Sequence, residues 1–167
     1  NDVDLYKEGV IRIYDVLFPA QVLLDTDTCV REFLVRSGLD GPVSTAQLHY
    51  ALGHDLMTQH PGCEEYSVVA AAAKAGVPIY TSSPGDSSIG MNIAFHELMN
   101  DGGLMVDPNK DVNEICAIIL AGEKNGAVIL GGGSPKNFYL QGQPTLWEVY
   151  GIPKGGIPIA HMRSVYR

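Results

Sequence analysis

The sequence predicts an α/β protein: a Rossmann-like, doubly wound, mostly parallel sheet with helices on both faces, formed by residues 1–167 as a single domain. Helical and strand patterns alternate along most of the chain. The predicted strands are short and wholly apolar, as expected when helices cover both faces of a sheet. Glycine is also abundant, at 19 of 167 residues, which indicates turns where the backbone must bend sharply or approach another group closely.

Apolar spacing and capping residues predict the helices. They cover residues 20–35, 44–56, 64–75, 89–99 and 111–123, and a further helix opens with Ser134 as N-cap and Pro135 at the first position. Gly38 and Gly76 follow two of these helices and predict their ends. Segment 5–18 fits either a buried strand or a helix, and Pro19 ends it.

Four apolar runs predict the strands. They cover residues 77–81, 104–106, 127–130 and 157–160. Gly41-Pro42 predicts a turn. Because ligands of such sheets bind beyond the carboxyl ends of the strands, the loops after 77–81 and 127–130 are the first places to look for a site.

Composition excludes several functional classes. The formal net charge of −8 argues against a nucleic-acid binder, which needs a basic surface, and is compatible with a cationic ligand. No apolar run approaches the roughly 18 residues of a membrane helix, and no signal peptide is evident. Charged residues are 18% of the chain, against about 25% in typical domains, so we expect part of the surface to be covered by a partner.

The cysteines indicate a reducing compartment. Cys29, Cys63 and Cys116 are odd in number and widely spaced, which predicts free thiols in a cytoplasmic protein rather than a disulfide frame or a zinc site. The chain opens on Asn1 rather than Met, so we expect it to be a processed piece or part of a longer chain.

The first candidate loop is the glycine turn, Gly131-Gly132-Gly133, followed by Ser134 and Pro135. Three glycines remove every side chain from a strand-to-helix turn, so backbone amides can approach an anion. The turn matches neither the GxGxxG fingerprint nor a P-loop. A tight turn with an ordinary helix cap is an equally good interpretation of this pattern by itself.

The second candidate loop is residues 82–88, which contains Asp86, Ser87 and Ser88. Asp86 is suited to accept hydrogen bonds from a ribose or to bind a cation, and the serines can donate to an anion. Taken alone, an Asp or Ser helix cap after a Pro-Gly turn is the better interpretation. Two loops of small residues at two strand ends on one edge nevertheless predict a single crevice.

The histidines do not form a metal-binding pattern. His49 and His54 are five residues apart, and His96-Glu97 lacks the second histidine of HExxH because position 100 is Asn100. We therefore predict no metal site. No cysteine or serine lies in a nucleophile motif, so the catalytic residue stays unknown.

The two loops and their flanking residues resemble those of deoxyhypusine synthase and its bacterial and archaeal relatives. The resemblance rests on residues 76–80 (GVPIY), 85–90 (GDSSIG) and 128–137 (VILGGGSPKN), and it extends to residues 8–17 and 44–50. The matches occur in the family's order over most of the chain. They are specific together, although each one is weak by itself.

The resemblance implies a Rossmann-like fold and a homotetramer with active sites at the subunit interfaces. It implies NAD-dependent transfer of the aminobutyl group of spermidine through an imine to a lysine of the precursor of translation initiation factor 5A. Carried over residue by residue, it implies NAD contacts for Asp86, Ser88 and the glycine turn, Gly131, Gly132 and Gly133. Its polyamine-contacting histidine corresponds to Asn137, which is therefore the candidate substrate-binding residue.

The sequence departs from the family pattern at three places. Met91 replaces an acid that binds the polyamine, Asn137 replaces the histidine, and Trp147 is followed by Glu148 instead of the Trp-Gly-Lys motif that holds the nucleophilic lysine. The first two changes suit a bacterial-type branch that uses another amine, as in homospermidine formation. The third favours a non-catalytic partner subunit if the chain is complete. An unrelated nucleotide-binding domain is the remaining alternative.

Overall fold

The chain begins with a short helix and a β-hairpin. The computed structural model describes residues 1–100 and 102–152; helix α1 is Asp2–Lys7, and strands β1 (Val10–Ile13) and β2 (Val16–Pro19) pair antiparallel. Tyr14 adopts a positive φ of 53° in the two-residue turn between the strands, as tight hairpins require. Of the two interpretations of segment 5–18, the strand holds for most of it, and the helix covers only its start.

Three helices follow, and their caps explain their limits. They are α2 (Gln21–Ser37), α3 (Thr45–Gln59) and α4 (Val68–Ala75). Gly38 and Gly76 end α2 and α4 in the left-handed conformation, and Ser44 forms a capping box with Gln47 at the start of α3, so the predicted caps are confirmed. The predicted helix 64–75 begins later, because Ser67 caps α4 and Cys63–Glu65 form a separate 3₁₀ turn.

The second half contains α5 (Ser88–Asn100), α6 (Pro108–Ala121) and α7 (Ser134–Pro144), with a π-helical turn at Thr145–Val149. Helix α6 starts earlier than predicted because Asp107 caps it and Pro108 occupies its first position. Helix α7 starts one residue earlier than predicted, so Gly133 is its N-cap and Ser134 its first residue. No helix within the described residues is long and apolar enough to cross a membrane.

The parallel part of the sheet is small. Strand β3 (Gly41–Val43) pairs parallel with β4 (Leu104–Val106), so the strand at 104–106 is confirmed and the turn predicted at Gly41-Pro42 is wrong. The architecture is mixed α/β, but the predicted doubly wound sheet is not seen among the described residues, which form two sheets of two strands each.

Two of the predicted strands were wrong. Segments 77–81 and 127–130 have no ladder partner among the described residues. An apolar run becomes a strand only when a neighbour pairs with its backbone. In 127–130 the side chains of Val128 and Leu130 are 90% and 93% exposed. The strand predicted at 157–160 lies outside the described residues.

The apolar core consists of two clusters. The first is formed by α2, α3, α5 and the β3–β4 pair, around Phe33, Leu48 and Leu104. The second is formed by α6, α7 and the π-helical turn, around Cys116 and Leu146. Segment 77–89 connects them, since Tyr80 packs on the second cluster and Ile89 on the first. The candidate loop 82–88 therefore runs between two packed units.

Candidate functional site

Loop 82–88 is shaped by Ser87 and Gly90. A 3₁₀ turn covers Pro84–Asp86. The Ser87 hydroxyl donates to the Pro84 carbonyl at 2.8 Å and accepts from the Gly90 amide at 3.0 Å, so Ser87 caps α5. A side chain at Gly90 would overlap the Pro84 carbonyl, which means that the turn packs directly on the helix backbone. The capping role weighed for this loop thus belongs to Ser87.

This arrangement leaves the two predicted NAD contacts of the loop exposed. Asp86 ends the 3₁₀ turn and Ser88 begins α5, and both are exposed to solvent. Neither side chain forms a hydrogen bond with another described residue. A carboxylate acceptor and a hydroxyl donor are therefore available to a ligand beside the start of α5.

The glycine turn is open backbone that only glycine adopts easily. Gly131 and Gly133 have φ values of 80° and 112°, which side chains strongly disfavour. A side chain at Gly132 would meet no atom within 4 Å. Because Gly133 is the N-cap, no side chain caps the first turn of α7, and its free N–H groups suit an anion.

A hydrogen bond joins the two loops. The Ser134 hydroxyl, at the start of α7, donates to the Ser82 hydroxyl at 2.8 Å. Ser134 is free to do so because Gly133 takes the cap position. The glycine turn and the loop that carries Asp86 therefore lie side by side, as a shared crevice requires. Their role in NAD binding stays a prediction.

A cavity of about 340 Å³ lies between segment 126–130 and α7. Gly132, Pro135 and Lys136 line it together with Tyr139, whose hydroxyl donates to the Gly126 carbonyl at 3.3 Å. Lys136 is exposed and also borders this cavity. The cavity adjoins the glycine turn and provides space beside it.

Asn137 and Met91, the two residues that the resemblance aligns with polyamine contacts, are both accessible. Asn137 lies in the first turn of α7 and is exposed. Met91 lies in the first turn of α5 and is 60% exposed. Each follows one of the two joined loops, so a neutral side chain stands on each helix beside the candidate site.

A buried polar network behind the loops was missed by the sequence analysis. Asp111 is only 1% exposed, and its carboxylate accepts from the Thr45 amide at 2.9 Å and from the Thr45 hydroxyl at 2.8 Å. The Thr45 hydroxyl in turn accepts from the Thr81 amide at 2.9 Å. In the sequence Thr45 directly follows the predicted cap Ser44, and its partners in this network are far away along the chain.

His49 belongs to the same network. Its Nδ1 lies 2.7 Å from the Thr45 carbonyl and 3.0 Å from the Ile79 carbonyl, and its Nε2 lies 3.5 Å from the Thr81 hydroxyl. Since both neighbours of Nδ1 are acceptors, the network assigns the hydrogen to that nitrogen. His54 instead packs its ring against Tyr50. Within the part of the chain that the structure describes, no three potential ligands are grouped as a metal site would require.

Helix α7 also packs against helix α6. The Cys116 thiol donates to the Gly142 carbonyl at 3.7 Å, and burial raises the pKa of this thiol. A side chain at Gly142 would overlap Ile119, so α6 and α7 are in close contact. All three cysteines are free, and Cys63 is buried as Cys116 is.

The fold and the loops together define a mixed α/β chain whose glycine turn and neighbouring polar loop are joined at one place. Residues 1–157 match the family model described as deoxyhypusine synthase. The chain therefore belongs to the deoxyhypusine synthase family, and the resemblance seen in the sequence is confirmed.

Curated relatives indicate the branch. The chain is 48% identical over 162 residues to a deoxyhypusine synthase-like protein of Nostoc punctiforme and 46% identical over 166 residues to one of Thermosynechococcus vestitus. It is 33% identical over 156 residues to a probable deoxyhypusine synthase 2 of Methanosarcina acetivorans. Each match covers 93% of this chain. The chain spans only 41%, 41% and 44% of these relatives' own lengths, in the same order.

Proposed function

We propose that this chain forms the NAD-binding part of a deoxyhypusine synthase-like transferase. The enzyme would move an aminobutyl group from spermidine or a related amine, through an imine, to a protein lysine or another amine. Family membership supports the reaction class. The observation that carries the proposal is the 2.8 Å hydrogen bond between Ser134 and Ser82, because it joins loop 82–88 to the glycine turn, and these are the two loops to which the resemblance assigns the NAD contacts.

The residues at these loops fit a dinucleotide. The glycine turn leaves backbone unobstructed, and the first turn of α7 has N–H groups without a side-chain cap, which suits a pyrophosphate. Asp86 is an exposed carboxylate, which suits a ribose hydroxyl. When bound, NAD would supply the chemistry of accepting and returning a hydride.

In this proposal each group of the chain has a separate task. Asp86 and Ser88 bind and orient the nucleotide from one side, while Gly131, Gly132 and Gly133 allow its close approach from the other. Asn137, at the start of α7, contacts the amine. The nucleophile is not assigned to any residue of this chain.

A related amine other than spermidine is the second candidate substrate. Met91 is the observation that favours it, because a 60% exposed thioether stands where the family has a polyamine-binding acid. An uncharged side chain loses the Coulomb attraction to an ammonium group. Homospermidine-type synthesis uses the same imine chemistry with a different acceptor.

We also propose that the protein forms a homo-oligomer, a tetramer as in the family, and that the active site is completed at a subunit interface. We propose a cytoplasmic location. Large apolar side chains of α5 support this, since Met91 and Leu98 are 60% and 81% exposed. The exposed segment 127–130 supports a larger, doubly wound parallel sheet in the complete assembly.

The net charge of −8 is compatible with a polyamine and with a basic segment of a factor 5A precursor as partners.

Calorimetric titration of NAD into the purified protein tests the proposal. We expect Asp86→Ala to weaken NAD binding by about tenfold or more, because a hydrogen bond to a charged acceptor contributes roughly 1.5–3 kcal/mol. Asp15→Ala removes the same charge from the exposed hairpin turn and is the matched control, which should bind NAD unchanged.

Two outcomes would contradict parts of the proposal. Tight NAD binding that Asp86→Ala leaves unaffected would show that the crevice is not the NAD site. NAD binding without NADH formation from spermidine or from any other amine tested, followed by absorbance, would favour a non-catalytic partner subunit. Formation of NADH with another amine only would support the second substrate.

A further inference from the structure

Segment 77–81, which leads into the candidate NAD loop, is held by side chains instead of a sheet. It has no strand partner among the described residues, so its backbone groups need other partners. The Thr81 amide donates to the Thr45 hydroxyl, and the Ile79 carbonyl accepts from His49 Nδ1. Both partners project from α3. The segment is therefore attached to the first turns of one helix.

The Thr45 hydroxyl is fully committed between two groups. It donates its only hydrogen to the Asp111 carboxylate at 2.8 Å and accepts from the Thr81 amide at 2.9 Å. Asp111 also accepts from the Thr45 and Ala46 amides at the start of α3. Thr45 is 1% exposed, as Asp111 is. The carboxylate thus fixes the direction of the hydroxyl, which leaves a lone pair for Thr81.

The next residue connects this network to the candidate site. Ser82 follows Thr81 and accepts the hydrogen bond from Ser134 at the glycine turn. A continuous path therefore runs from Asp111 through Thr45 and Thr81 to Ser82 and Ser134. Displacement of Thr81 would move Ser82 away from the glycine turn.

We propose that Thr45 is a positioning residue that holds loop 82–88 against the glycine turn. Thr45 does not contact the exposed side chains of Asp86 and Ser88, and it does not contact Asn137. Its effect passes through Thr81, with Asp111 orienting its hydroxyl and His49 holding Ile79 as a second attachment. Only the expected effect of Thr45 on NAD affinity rests on the proposed function. The attachment itself is independent of any ligand.

Hydrogen exchange measured by mass spectrometry tests the attachment in the protein without NAD. Thr45→Val keeps the side-chain shape but removes the hydroxyl. We expect exchange in peptides within residues 77–90 to rise by about tenfold, because the Thr81 amide loses its partner. Thr45→Ser keeps the hydroxyl and should restore the exchange of the native protein. Thr58→Val makes the same substitution in the last turn of α3, where the hydroxyl donates to the His54 carbonyl of the same helix, and should leave this segment unchanged.

NAD affinity then tests the positioning role. We expect Thr45→Val to weaken NAD binding by roughly threefold or more and Thr45→Ser to restore it. Unchanged NAD affinity in Thr45→Val would overturn the inference, and so would faster exchange spread evenly over α3 and α6 without an excess in 77–90. If the native protein does not bind NAD, the proposed function fails, while the exchange result still decides the attachment.

A second variant covers the case in which Thr45→Val does not fold. His49→Leu removes the attachment at Ile79 and leaves the Asp111–Thr45 pair in place. We expect it to raise exchange in the same peptides, by less than Thr45→Val would. No increase in 77–90 would overturn the part of the inference that makes His49 a second attachment of this segment.

Discussion

At the scale of single residues, Gly90 determines the path of the loop that carries Asp86 and Ser88. A β-carbon at position 90 would overlap the backbone carbonyl of Pro84, which cannot rotate away as a side chain can. We expect Gly90→Ala to lower the free energy of unfolding by about 1–3 kcal/mol, as overpacking does, and to weaken NAD binding. Thermal unfolding and NAD calorimetry measure the two effects.

Gly85→Ala is the matched control for Gly90→Ala. A β-carbon at Gly85 would meet no atom within 4 Å, and its φ is not in the left-handed range. The control should therefore unfold at the native temperature. Equal thermal stability of both variants and the native protein would show that the turn is not packed on α5 as described.

Single residues also show what the sequence could and could not predict. Asp86, Ser88 and the glycines were predicted as NAD contacts because they belong to local motifs that a family resemblance can carry, and this stays a prediction. The Ser82–Ser134 contact was expected only as a shared crevice, since no pattern specifies which atoms meet. Thr45 and Asp111 are separated by 66 positions, and nothing in either neighbourhood indicates a buried carboxylate partner. His49 was considered only as a metal ligand for the same reason.

At the scale of elements, helices were predicted well because their signals are local. Ser44 marks the start of α3 through its capping box with Gln47, and Gly38 marks the end of α2 through its left-handed backbone, so both signals lie within one turn of the helix end. Segments 77–81 and 127–130 were predicted as strands from apolar runs alone, and this failed because a strand is defined by a partner elsewhere in the chain. Among the described residues, 104–106 is the one strand predicted from an apolar run that pairs, and its partner is β3, where a turn had been predicted.

The contact of α3 with α4 depends on Gly53. A β-carbon there would overlap Ala73 and lie 2.7 Å from the Val69 carbonyl oxygen. Alanine would gain about 1 kcal/mol of helix propensity, but overpacking costs about 1–3 kcal/mol, and a backbone carbonyl moves little. We therefore expect Gly53→Ala to lower the unfolding temperature by several degrees, as measured by circular dichroism. Gly126→Ala, where no atom lies within 4 Å, is the control, and a rise in the unfolding temperature of Gly53→Ala would contradict the packing.

At the scale of the whole molecule, the buried polar network joins the two apolar clusters. Asp111 belongs to α6, which contributes to the second cluster, and Thr45 belongs to α3, which contributes to the first. Breaking the pair would leave a carboxylate buried without its donors, which costs several kcal/mol. Neither cluster can therefore separate from the other without that cost, so we expect them to unfold together.

Labelling of two buried cysteines, one on each side of the Asp111–Thr45 contact, measures whether the two sides unfold together. Cys116 lies in the second cluster, and Cys63 is buried where α3 and α4 meet. The thiolate is the reactive form, and burial raises the pKa of Cys116, so iodoacetamide should label neither thiol in the native protein. In a Cys29→Ser variant, which removes the accessible thiol, pulses of iodoacetamide at increasing urea should label Cys63 and Cys116 at one common midpoint. Labelling of Cys116 at clearly lower urea would show that α6 and α7 open independently and that the Asp111–Thr45 contact does not hold the two clusters together.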